Sequence, residues 1–99
     1  MIAILYVTHK NLKNAKKISR YMIEKKLVAC ANIFPIDTMY IWNKTLVNDK
    51  EYASILKTST AKAGVAEKEI KKIHPYKMPC IIKFRVDSNT DYENWINNM

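Results

Sequence analysis

A chain of 99 residues with a formal charge of +8 has room for one domain, residues 1–99, and for one core. The charge excess is nearly all lysine: Arg20 and Arg85 are the only arginines, too few for the bidentate phosphate and guanine contacts of a nucleic-acid binder, so no nucleic-acid partner is expected. Cys30 and Cys80 stand alone without a C-x-x-C pair, and no apolar run approaches the ~20 residues of a membrane span; the expectation is a soluble, cytoplasmic protein with reduced thiols and no membrane partner.

Ile2 to Thr8 is a continuous apolar, β-branched run, as a strand buried on both faces requires. Asn11 can cap the following helix by accepting a first-turn N–H. Across Leu12 to Lys26, the positions Leu12, Ala15, Ile18, Met22 and Ile23 recur at three- and four-residue steps, while Lys13, Lys16, Lys17 and Arg20 fill the remainder. That spacing predicts an amphipathic helix with one buried stripe.

Leu27 to Pro35 reads as a second strand, which Pro35 bends or marks as an edge, and Met39 to Trp42 resumes it. Asn43-Lys44 is a hairpin tip, since asparagine tolerates positive φ. Leu46-Val47 and Tyr52 to Thr58 form the return strand. Lys62 to Ile73 predicts a second helix with Val65, Ala66, Ile70 and Ile73 inward.

The two prolines of His74-Pro75-Tyr76-Lys77-Met78-Pro79 remove two N–H donors and fix φ, so the helix must stop and a stiff connector follow. A last strand is expected from Met78 to Val86, with Met78, Cys80, Ile82, Phe84 and Val86 on one face. Thr90 to Asn98 closes the chain as a short helix carrying Trp95.

The order β-α-β-β-α-β predicts an α+β, ferredoxin-like sandwich with a long hairpin between the second and third strands and a short C-terminal helix. Right-handed crossovers put both long helices on one face and the first strand in the middle. That strand is apolar on both faces, so a second cover is needed, and further copies of the chain are the simplest source.

Leu27-Val28-Ala29-Cys30-Ala31-Asn32, Tyr40-Ile41-Trp42, Ile55-Leu56-Lys57-Thr58, the His74–Pro79 connector and Asp91-Tyr92-Glu93-Asn94-Trp95 together resemble the CutA family of divalent-cation tolerance proteins. The resemblance runs in order along essentially the whole chain. It implies a cytoplasmic homotrimer of ferredoxin-like subunits, a link to copper and other divalent cations, and a trimer similar in fold to the PII signalling proteins. The hairpin tip departs from the family's usual Trp-x-Gly-Lys, reading Trp42-Asn43-Lys44-Thr45. Of the ligands proposed for copper-binding members, only His74 is matched directly; Tyr6 and Ile73 stand at the other two positions.

His74 has two readings: a helix-terminal residue donating to the last carbonyls, or a ligand. The expected strand pairing brings Cys80 near Tyr6, Thr8 and His9, which gives a candidate metal set of His74, Cys80 and His9. Such soft nitrogen and sulfur donors suit copper or zinc; the alternative is a small buried Cys80. Tyr76, Lys57, Trp42 and Cys30 are candidates for an intersubunit cleft or contact, with Trp42 on an exposed arm that embraces a neighbour. Lys57, Lys83 and Arg85 are expected either on strand faces that a trimer partly covers, paired across subunits with Glu51, Asp49 or Asp87, or at a solvated margin.

Two functions follow: a non-enzymatic trimer in metal tolerance with weak metal binding, or a regulatory module holding small ligands or proteins in intersubunit clefts. An enzyme is not expected. Gly64 is the only glycine, so no phosphate-cradling loop exists, and neither cysteine has an activating context.

Overall fold

The computed structural model describes residues 1–99 as β1 (Ile2–His9), α1 (Leu12–Glu24), β2 (Cys30–Trp42), β3 (Thr45–Ser59), α2 (Ala63–Ile73), β4 (Ile81–Val86) and α3 (Thr90–Asn97). The strands form one antiparallel sheet in the order β2-β3-β1-β4. The expected ferredoxin-like order is therefore present, with β1 in the middle.

Alternation along β1 sets the two faces. Ala3, Leu5, Val7 and His9 are buried, while Ile4, Tyr6 and Thr8 between them are only half-buried. Paired residues share a face, so Thr58, Leu56, Ser54 and Tyr52 of β3 join the first set. There Leu5, Val7 and Leu56 pack with Ile18 and Met22 of α1 and with Ala66 and Ile70 of α2. Burying each such Leu, Ile or Met is worth about 1.5–3 kcal/mol.

Helix α1 starts where Asn11 Oδ1 accepts the Asn14 N–H at 2.8 Å, as its sequence predicts. Its buried stripe is Ala15, Ile18, Ser19 and Met22. Leu12 and Ile23, expected inside, are exposed, because they flank a stripe that only Ala15, Ile18 and Met22 centre on the sheet. Val65 of α2 is likewise exposed while Ala66 and Ile70 are buried.

Of the two roles expected for Pro35, a bend or an edge marker, the second holds. β2 runs unbroken, with Pro35 opposite Tyr52, and tolerates the missing donor because β2 is the sheet edge. Asn43 and Lys44 have φ of 50° and 64° between the paired Trp42 and Thr45, the two-residue turn whose twist suits a hairpin. The last strand begins at Ile81, not Met78; Pro79 cannot donate to a ladder, and Met78 is 80% exposed.

On the face away from α1 and α2 lie Ile4, Tyr6, Ile55, Ile82 and Phe84, by the register of β1 with β3 and β4. Helix α3 covers only one end of it, where Ile2 and Ile96 are buried and Lys57 Nζ sits 5.4 Å from the Tyr92 ring centre. Phe84 stays 48% exposed and Ile82 46%. The far half of the β2–β3 hairpin projects as an arm bearing Met39, Tyr40, Ile41, Trp42 and Leu46, all exposed. The accessible surface is 6726 Å², against about 5,800 Å² for a monomer of this mass. The radius of gyration, 14.2 Å, likewise exceeds the roughly 12.6 Å of a compact domain this long.

Candidate functional site

The connector after α2 is where titratable side chains gather. His74 caps α2 in an extended conformation, its N–H donating to Ile70 O. Its ring does not serve the helix carbonyls, as one sequence reading had it. Nε2 donates instead to the Thr8 carbonyl of β1 at 2.8 Å, and Nδ1 accepts the Tyr76 N–H at 3.1 Å. A carbonyl can only accept and an N–H can only donate, so these two bonds select the neutral Nε2–H tautomer. Both ring nitrogens are thereby engaged.

His9 lies directly beside it, with ring centroids 5.6 Å apart and planes 20° from parallel. It is fully buried. Nε2 meets Ser54 Oγ at 2.7 Å, while Nδ1 is buried without a partner. Burial, and the neighbouring His74 ring, lower the His9 pKa from 6.5 to about 4. Tyr76, 4.8 Å from His74 by ring centroids, donates its hydroxyl to Glu51 of β3 at 2.6 Å. Burial and that carboxylate push the phenol well above its ordinary pKa. The chain Ser54–His9–His74–Tyr76–Glu51 thus ties the connector to β1 and to the root of the arm.

Cys80 does not join this group. It precedes β4 by one residue and is half-buried, outside the sheet ladder. His9 is on the buried Val7 face of β1. No three His, Cys, Asp or Glu side chains are grouped to hold a metal ion. The trio His74, Cys80 and His9 is therefore not preassembled as a three-ligand centre in the single chain.

The four cleft candidates fall in three places. Cys30 and Lys57 are cross-strand partners on the bare face, with Tyr92 above Lys57. Tyr76 is held by Glu51. Trp42 stands near the arm tip, 60% exposed. Lys83 and Arg85 pair with Leu5 and Ala3, share the helix-bearing face and are exposed, as the solvated-margin reading has it. The partner of Lys83 is Glu67 of α2, at 2.7 Å, while Glu51 and Asp49 take the Tyr76 and Tyr40 hydroxyls. Sequence reasoning missed Ser54 and Glu51 as partners. The alternation that puts Ser54 on the His9 face was readable; the fold of the connector that brings Tyr76 to Glu51 was not.

Residues 3–99 match the family model of the CutA1 divalent ion tolerance protein. A divalent-cation tolerance protein CutA from Thermotoga maritima is 39% identical over 94 residues, covering 94% of this chain and 93% of that relative. Among solved structures, the divalent ion tolerance protein CutA1 from Ehrlichia chaffeensis superposes with a TM-score of 0.94 at 38% identity, covering 98% of this chain and 92% of that one. The structure described as the periplasmic divalent cation tolerance protein CutA from Archaeoglobus fulgidus gives 0.92 at 34% identity, covering 97% and 95%. Matched along nearly its whole length in both sequence and fold, the chain belongs to the CutA1 divalent ion tolerance protein family.

Proposed function

We propose that this protein works as a homotrimer in tolerance of divalent cations, copper among them, binding metal weakly and catalysing no reaction. The carrying observation is the bare apolar sheet face of Ile4, Tyr6, Ile82 and Phe84, together with an arm that exposes Met39, Tyr40, Ile41, Trp42 and Leu46. Left wet, such surface is costly, at about 25 cal/mol per Å², and three copies closing their sheets around an axis remove it from water. Family membership supports the tolerance role.

Metal is met at the half-exposed thiols of Cys30 and Cys80, which suit copper(I), and not at a histidine centre. The unpaired thiols also support a reducing, cytoplasmic setting, although one relative is described as periplasmic; no helix is long and apolar enough to cross a membrane. Copper(I) titration against a competing chelator tests the reading. The expected result is weak binding that diminishes in Cys80→Ser and disappears in the Cys30→Ser/Cys80→Ser double variant. Tight binding that survives loss of both thiols contradicts it.

A PII-like regulatory reading, with small ligands or proteins held between subunits, is supported by Lys57, Cys30 and Tyr92 clustering on the bare face. Retention of a metabolite by chelator-free protein in native mass spectrometry, with no retained ion, favours it over metal tolerance.

A further inference from the structure

The helix layer contains a cavity that neither functional reading uses. It measures about 450 Å³ and lies between α1 and the end of α2, lined by Asn14, Lys17, Ile18, Tyr21, Ile73 and Pro75. The volume falls within the roughly 300–1,000 Å³ of small-molecule sites. Its apolar walls are Ile18, Ile73 and the Pro75 ring. The Tyr21 hydroxyl donates to Glu69 at 2.6 Å and Lys25 Nζ stands 5.6 Å from its ring centre, so the phenol is held in place and offers its ring.

Two polar groups on the lining are unspent. Lys17 forms no ion pair, all five in the chain being made elsewhere, and the Asn14 side-chain amide forms no hydrogen bond, although its backbone N–H is used in the helix cap. One cation and one amide beside an apolar floor make an incomplete set, lacking an anion with an apolar body.

We infer that this cavity binds a small organic monoanion, a carboxylate attached to an apolar or aromatic group. The carboxylate lies on Lys17 and Asn14, and the body packs on Ile18, Ile73, Pro75 and the Tyr21 ring. A monoanion fits better than a phosphate monoester, because a single unpaired lysine lines the cavity and Glu69, bonded to Tyr21 at its edge, repels a second negative charge. The cavity sits among the helices, on the side of the sheet opposite the bare face, so closure of a trimer leaves it open. An occupant touching Pro75 bears on the connector between His74 and Tyr76.

The test uses the full chain and phenylacetate as probe, read by ¹⁵N shifts of α1 and Ile73, with phenethylamine and phenyl phosphate as charge controls. Saturable shifts with phenylacetate, none with phenethylamine, and an affinity about tenfold or more weaker in Lys17→Glu are expected for a lost charge-assisted hydrogen bond. Lys17 is exposed, so Lys17→Glu retains the wild-type melting profile. Non-saturable shifts, or equal affinity in Lys17→Glu, overturn the site; tighter binding of phenyl phosphate than phenylacetate overturns the monoanion assignment.

Discussion

His9 and His74 come from opposite ends of the chain and stack at 5.6 Å, nearly parallel, with one imidazole sealed against Ser54 and the other spanning β1 and the connector. The arrangement is a clamp. It holds the start of the connector to the end of β1, and it excludes a second proton.

That exclusion has a pH consequence. His9 titrates near 4 when folded and from 6.5 otherwise, so the unfolded chain takes up its proton first. Stability from this group is present in full above about 6.5, falls as the pH drops toward 4, and is constant below. The full loss amounts to roughly 3 kcal/mol, about 2 kcal/mol of it by pH 5. Urea unfolding at pH 7.5, 6.0 and 5.0 measures it, and in a His9→Asn variant the slope over this window flattens.

The Tyr76–Glu51 bond anchors the connector to the arm root. Tyr76→Phe removes one charge-assisted bond at a half-buried site, a loss of about 1 kcal/mol, read as a lower denaturation midpoint.

The arm's turn holds Lys44 at φ 64°, where a Cβ is unfavourable and glycine is not. Lys44→Gly stabilises the hairpin tip by about 0.5–1 kcal/mol, detectable as a raised melting temperature. A lowered one indicates that Lys44 makes contacts that outweigh its backbone strain.

Trp42 carries the largest apolar surface near that tip and is mostly exposed in the single chain. Trp42→Ala leaves the subunit's circular dichroism unchanged and weakens assembly by a factor of about 10 or more, since buried interface tryptophans cost ~2 kcal/mol or more on truncation. Sedimentation of the variant over a dilution series measures the factor.

Much of the fold was legible because periodicity reports burial directly. The β-α-β-β-α-β order with right-handed crossovers put β1 in the middle, and Asn11 and the prolines marked helix limits. The limits of Leu12, Ile23 and Val65 arise because a helical stripe is narrower than its list of apolar residues. For the candidate site, parity along β1 and β3 already placed Ser54 on the His9 face. The pairing of His74 with Thr8, 66 residues away, and of Tyr76 with Glu51 depends on how α2 docks, which no local pattern encodes.

The central claim is that Ile82, Phe84 and the arm are covered by other copies of the chain. Sedimentation velocity of the wild type at low micromolar concentration tests it most directly. A single species of three 11.6 kDa chains is predicted; a folded species sedimenting as one chain contradicts it.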